Sequence, residues 1–318
     1  MLRRFALATS VATYVLLLVG GLVHGTGSSL ACPDWPLCHG QFFPAMNHGV
    51  EYEHSHRLAA GTVAVMTMIL AVLIFREPKA RSLRPLAIAA PIMVLAQAVL
   101  GGLTVLLKLP RFITLSHLTL SMCFFAVTII IAIRARALDG EDAAPVSVGG
   151  ASFDPRPLVG LTFVAILGQI LLGGLVRHSM AGLACTTFPF CFGSVWPPDS
   201  PSAMSERIHM LHRIWGSIVG CLVFATSWYA AARAKKLEAD GFAAARALRQ
   251  LAIAAPILVL VQIGLGVLSV TTLLHLPVVE AHLGVGALLL GSFVAMWTLL
   301  PAQRPLPTTA SPTGAVTA

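Results

Sequence analysis

The chain has 318 residues, of which 57% are hydrophobic and 11% charged, with a mean hydropathy of +0.84 and a formal net charge of +8. So apolar a composition excludes an ordinary soluble domain. The positive balance alone would suit a nucleic acid, but its distribution along the chain assigns it to membrane orientation, and no nucleic-acid partner is expected.

Eight apolar runs approach the roughly 20 residues needed to span a bilayer. They lie near 5–27, 56–75, 85–107, 112–133, 157–176, 209–231, 251–271 and 278–299. An all-α integral membrane fold of eight transmembrane helices follows. The first run opens on Arg3-Arg4 but lacks a small-residue cleavage site, so it reads as a retained helix rather than a signal peptide.

The chain is also written twice. Gly20-Gly21-Leu22-Val23, Cys32, Cys38 and Pro44 recur as Gly173-Gly174-Leu175-Val176, Cys185, Cys191 and Pro197. Ala87-Ile88-Ala89-Ala90-Pro91-Ile92 recurs as Ala252-Ile253-Ala254-Ala255-Pro256-Ile257, Gln97 as Gln262, and His117 as His282. His56-Arg57 recurs as His212-Arg213. Such self-similarity predicts two pseudo-symmetric four-helix bundles. Four spans per half give both halves one orientation, a parallel repeat. The expected units are 1–138, a linker at 139–156 around Asp139, Gly140, Glu141 and Asp142, a second half at 157–300, and a disordered tail at 301–318.

Of the 21 Lys and Arg residues, all but Arg57, Lys108, Arg111, Arg177, Arg207 and Arg213 fall on one side of this topology. The bias places both termini in the cytoplasm and the loops near 28–55 and 177–208 outside a cell inner (plasma) membrane. There the pairs Cys32 with Cys38 and Cys185 with Cys191, each with five residues between, can close small disulfide loops. A metal pair or free thiols are the alternatives, although the spacing exceeds the usual interval between paired zinc ligands. Cys123 and Cys221, within spans, read as small buried apolar residues.

All 11 histidines lie at outer loops or outer helix ends in this topology. His56 and His117 come from the second and fourth spans, and His212 and His282 from the sixth and eighth. Each pair can face into its bundle at similar depth. Two facing imidazoles underfill a zinc or copper site, but they complete the axial set of a heme, whose macrocycle supplies the other four donors. His54 and His209 are alternative ligands or wet interfacial residues. His24, His39, His48, His178 and His275 read as loop or interface residues. Arg57 and Arg213 suit either heme propionates or snorkelling to the interface, and the paired glycines read as ordinary close helix packing.

Glu53 breaks the symmetry. It lies three residues before His56, on the same face of a helical continuation, and Glu51 is its rival. Three residues before His212 stands His209, and the nearest acid is Glu206. Glu280 is expected off the ligand face, at the membrane interface. A carboxylate beside one site only suggests chemistry at the first and electron transfer at the second.

Glu53-x-x-His56-Arg57, His117, His212-Arg213 and His282 on eight spans, with paired cysteines in the outer loops, resemble the heme A synthase family over nearly the whole chain. The resemblance implies oxidation of the C8 methyl of heme O to a formyl group, giving heme A for cytochrome oxidases. It implies heme O held by His56 and His117, a heme b cofactor held by His212 and His282, and Glu53 as the catalytic residue. Disulfides in the cysteine loops also match some members. Gap-free alignment pairs Glu206 and His209 with Glu53 and His56, so His212 is assigned on the shared His-Arg pair. Heme O, membrane lipid, a heme O synthase, an electron donor or acceptor and a second copy of the chain are the partners considered. The rival readings are a quinol-linked di-heme cytochrome b, which leaves Glu53 unexplained, and a parallel-repeat transporter, which would place charges deep in the spans.

Overall fold

The computed structural model describes residues 1–138 and 154–301. The acidic cluster of the expected linker and the tail beyond Pro301 lie outside the described residues. The eight helices are α1 (Leu2–Gly25), α2 (Val50–Arg76), α3 (Arg84–Leu106), α4 (Arg111–Ala137), α5 (Arg156–His178), α6 (Ala203–Ala239), α7 (Ala245–Thr271) and α8 (Leu276–Leu299), with a 3-10 turn at Pro78–Leu83 before α3. All eight spans are long and apolar enough to cross a membrane.

Two helices exceed their expected spans at the outer end. α2 starts at Val50 and α6 at Ala203, several residues before the apolar runs at 56 and 209. Hydropathy sees only lipid-matched residues, whereas these first turns are polar and covered by their own loops. Glu53 is therefore helical in fact. His56, His117 and His282 each lie six residues beyond the first residue of their helices, and His212 nine, so all four sit about two turns in.

In the first half α1 packs on α2 and α4, and α3 on α2 and α4. In the second, α5 packs on α6 and α8, and α7 on α6 and α8. Short connections place α2 beside α3, α3 beside α4, α6 beside α7 and α7 beside α8, and the α1–α4 and α5–α8 contacts close each ring. The rings join through α4 and α1 against α8, and α4 against α5. One apolar core runs across that seam: Met122 and Phe125 of α4 pack with Leu290, Phe293 and Met296 of α8. The repeated Ala-Ile-Ala-Ala-Pro-Ile segment explains itself here. Its first and third alanines, Ala87 and Ala90 or Ala252 and Ala255, are buried against the bundle. Ile88, Ile92, Leu95 and Val99 form an outward apolar stripe at helical spacing, which lipid covers. Cys221 is exposed on such an outer face and Cys123 is half-buried. The expected protein burial of both is thus corrected: in a membrane, apolar residues need no protein cover.

Glu280 also departs from expectation. It is buried at the seam, not at the membrane interface, with its carboxylate 3.6 Å from Arg177 of α5. His24 of α1 and His178 of α5 stack beside this pair, ring centroids 4.6 Å apart. A Cβ on Gly21 would stand 2.1 Å from Glu280 Oε2 and 2.6 Å from Leu283 Cδ2. The small residue lets α1 reach the buried carboxylate. Gly21→Val should therefore lower stability by about 1–3 kcal/mol, the cost of overpacking. Gly61→Ala meets nothing within 4 Å and should be neutral or gain up to about 1 kcal/mol from helix propensity. Thermal unfolding of the two variants in detergent checks the contrast.

Candidate heme sites and their outer loops

The loop between α1 and α2 carries a Cys32–Cys38 disulfide and the loop between α5 and α6 a Cys185–Cys191 disulfide, each joining cysteines six positions apart. Both expected pairings are present. Asp34, half-buried in the first loop, accepts the backbone N–H groups of Gly40 (2.8 Å) and His39 (2.6 Å). These bonds, Gly40's foremost, hold its carboxyl below the usual carboxylate range.

Arg57 and Arg213, read as suiting either heme propionates or the interface, brace these loops. Arg57 donates to the carbonyls of Asp34 (2.8 Å), Cys32 (3.2 Å) and Leu37. Arg213 donates to the carbonyls of Cys185, Thr187 and Pro189, its guanidinium over the Phe188 ring at 4.1 Å. A loop that turns its carbonyls inward needs a donor with several N–H groups, and the guanidinium fork supplies them.

These matched contacts fix the register between halves. The loops correspond at 153 residues, and the helices at 156, through Arg57 and Arg213. Glu53 therefore corresponds to His209, and His54 to Met210. Glu206 stays near the start of α6, bonded to the Ser202 hydroxyl. The three-residue slip is invisible to gap-free alignment because the insertion falls inside the loop.

Glu53 is buried. Its Oε2 accepts Cys32 N–H at 2.8 Å and its Oε1 accepts Arg57 at 2.6 Å. Glu51 caps the helix start instead, accepting Gly49 N–H at 3.0 Å. His54 and His209, read as alternative ligands or wet interfacial residues, are both buried. His54 lies against the Cys32–Cys38 disulfide, two residues and roughly 200° around the helix from His56.

The four expected ligands share one environment: each imidazole lies on a glycine of the preceding helix. A Cβ on Gly20 would stand 3.0 Å from His56 Cε1, on Gly101 3.1 Å from His117, on Gly173 3.1 Å from His212, and on Gly266 3.2 Å from His282. The glycines read as general packing are thus ring supports, and Gly266, not part of a Gly-Gly pair, is a fourth that sequence reasoning missed. His212 and His282 face each other with ring centroids 6.5 Å apart and planes at 65°. Two metal–imidazole bonds of about 2 Å plus two ring radii of about 1.1 Å span about 6 Å. The second pair therefore fits an iron between its rings.

The pairs differ in what holds the rings. In the second half Gln169 Nε2 lies 3.1 Å from His212 Nδ1 and donates to His212 O at 2.9 Å, and His282 Nδ1 lies 3.1 Å from Gln262 O. In the first half Gln97 donates to His117 O at 2.8 Å, but Nδ1 of both His56 and His117 is buried without a partner. Gln97 and Gln262 were visible as a repeated pair, whereas Gln169 had no counterpart to mark it.

The loop braces are not equivalent either. Arg57→Gln leaves the buried Glu53 charge uncompensated and should cost about 3–5 kcal/mol. Arg213→Gln loses bonds to carbonyls and the contact with the Phe188 ring but strands no buried charge, and should cost about 1.5–3 kcal/mol. Limited proteolysis of residues 26–49 and 179–202 should show the first loop opening more in Arg57→Gln than the second does in Arg213→Gln.

The chain matches the family described as cytochrome oxidase assembly protein over residues 3–54 and 50–294. It is 30% identical to the heme A synthase of Lysinibacillus sphaericus (strain C3-41) over 306 residues, 94% of this chain and 95% of that protein. It is 31% identical to the heme A synthase of Bacillus pumilus (strain SAFR-032) over 238 residues, 72% of this chain and 75% of the relative. It is 29% identical to the heme A synthase of Geobacillus thermodenitrificans over 311 residues, 96% of this chain and 93% of the relative. With the match covering nearly every described residue of the eight helices, the chain belongs to this family of cytochrome oxidase assembly proteins.

Proposed function

We propose that this chain is a heme A synthase that oxidises the C8 methyl of heme O to the formyl group of heme A. The observation that carries the reading is the asymmetry between the two imidazole pairs. In the second pair the Gln262 carbonyl oxygen lies 3.1 Å from His282 Nδ1 and can accept its N–H, while Gln169 Nε2 donates to the His212 backbone carbonyl beside the other ring. A carbonyl acceptor of this kind orients a metal-bound imidazole and tightens its hold. That suits a resident heme b. At His56 and His117 each Nδ1 lacks a partner, which suits a ligand that must leave as product. Among the described residues, the buried carboxylates on the ligand helices are Glu53, one turn before His56 and on the same helix face, and Glu280, two residues before His282 but turned to Arg177 and Gly21 at the seam.

Heme, when bound, supplies the redox chemistry that no side chain can. The residues supply position and charge. Gly20 and Gly101 set the planes of the first pair of rings. Arg57 and Cys32 N–H fix both Glu53 oxygens, so the carboxylate holds a set position from which it can stabilise positive charge developing near the methyl or orient a water. Each oxygen keeps a further lone pair for a proton. The outer loop, closed by its disulfide and braced by Arg57, covers this end and restricts water. A di-heme cytochrome b needs neither the unequal pairs nor Glu53.

The same reading makes residues 1–138 the substrate half and 157–300 the cofactor half. Both termini lie in the cytoplasm and the heme sites toward the outer face of the plasma membrane. The clustering of Arg76, Lys79, Arg81 and Arg84 between α2 and α3, opposite the loop ends, supports that orientation.

Glu53→Gln keeps size and one acceptor oxygen. With a heme O source coexpressed, conversion should fall by about two orders of magnitude, the usual scale for a positioned acid–base group, with heme O or a partly oxidised product retained. Glu206→Gln should change conversion little. Chromatography of extracted hemes measures both, and normal heme A yield from Glu53→Gln would return the chain to the electron-carrier reading.

Gly173→Ala and Gly266→Ala should each displace a supporting ring in the second pair. The low-spin absorption bands of bound heme b should shift or weaken. Gly20→Ala and Gly101→Ala should leave those bands intact and act on heme O retention.

A further inference from the structure

The first outer loop holds a donor set that heme oxidation does not use. Sγ of Cys32, Sγ of Cys38 and a ring nitrogen of His54 lie within 4.8 Å of one another, all three residues buried. Neither nitrogen of His54 has a hydrogen-bond partner. An imidazole so enclosed is unsatisfied, and buried polar groups are rarely left that way. His56 is not part of this group, since its ring lies on Gly20 of α1. Among the described residues the second half has no such set. There Cys185 and Cys191 pack against Met210, which occupies the helix position of His54.

We propose that reduction of the Cys32–Cys38 disulfide opens a site for one thiophilic closed-shell cation such as Zn2+, bound by the two thiolates and the His54 imidazole. An external dithiol supplies the two electrons: the S–S bond breaks, two S–H bonds form, and the dithiol becomes a disulfide. Binding then releases two thiol protons as two metal–sulfur bonds and one metal–nitrogen bond form. Bonds of about 2.3 Å to sulfur and 2.0 Å to nitrogen place tetrahedral donors roughly 3.5–4 Å apart, so the two sulfurs, joined in the disulfide, must move apart by rotation of the cysteine side chains once reduced. Three protein donors leave the fourth position open.

The site is wired to the carboxylate of the first half. Cys32 N–H donates to Glu53 Oε2 at 2.8 Å, and Arg57 donates to both Cys32 O and Glu53 Oε1. A cation that pulls on Cys32 therefore moves the two groups that fix Glu53. The cation site itself rests on the loop geometry alone and stands apart from the heme reading.

The test uses full-length, heme-loaded protein carrying Cys185→Ser and Cys191→Ser. It is reduced with a phosphine, freed of reductant, and titrated with Zn2+ against a chromophoric chelator. The reduced protein should bind one more zinc per chain than the oxidised protein. His54→Leu and His54→Gln should each weaken that extra site by about a hundredfold or more. Zinc-edge X-ray absorption of the reduced protein with His54 intact should show two sulfur ligands and one imidazole, a readout independent of whether either variant folds. No extra zinc on reduction, an affinity unchanged in the folded His54 variants, or a zinc shell without imidazole would each overturn the proposal.

Discussion

Each of the four imidazoles at the duplicated positions, His56, His117, His212 and His282, rests on a glycine of the helix before it: Gly20, Gly101, Gly173 and Gly266. A ring between two helices needs room that a Cβ would occupy, and it must hold one orientation to be of use to a metal. Glycine supplies both at once, because the bare backbone is close enough to act as a floor. The helix pairs α1–α2, α3–α4, α5–α6 and α7–α8 are spaced by this contact. The loops, the seam and the outer stripes are arranged around it. The same logic recurs at the seam, where Gly21 and Gly25 admit the buried Glu280 carboxylate against α1.

On this repeated frame the two halves are specialised by a few polar substitutions. The helix position that holds Glu53 in the first half holds His209 in the second, and that of His54 holds Met210. Gln169 of α5, 3.1 Å from His212 Nδ1, answers to Leu16 of α1. None of these changes alters helix packing much, since each fits a site of similar size. Each changes what a ligand would meet: a fixed carboxylate and unpartnered rings on one side, hydrogen-bonded rings on the other. Duplication therefore preserves the scaffold while the chemistry diverges at single positions.

The arginines show how a loop can be made part of a site. Arg57 and Arg213 occupy equivalent places and each takes two matching loop carbonyls, Cys32 and Asp34 or Cys185 and Thr187, and a third nearby. Removing water from inward-facing carbonyls is costly unless donors replace it, and one guanidinium serves three carbonyls. In the first half the same side chain also neutralises Glu53, so loop closure and carboxylate placement depend on a single residue.

Much of this was legible in the sequence. The eight spans follow from hydropathy, the repeat from self-similarity, the disulfide pairs from spacing and the four histidines from their duplicated places, because each is a local or periodic signal. Glu53 was legible as an asymmetry. The tertiary structure decided what depends on contacts between distant segments. It gave the arginines carbonyl partners in the outer loops, buried His54, His209 and Glu280, and put a glycine under each ring. It also set the three-residue slip that pairs Glu53 with His209. A sequence records which residues are present and at what interval. Only packing decides which polar group is enclosed and which atom faces it, and burial and partnership are what turn a side chain into a site.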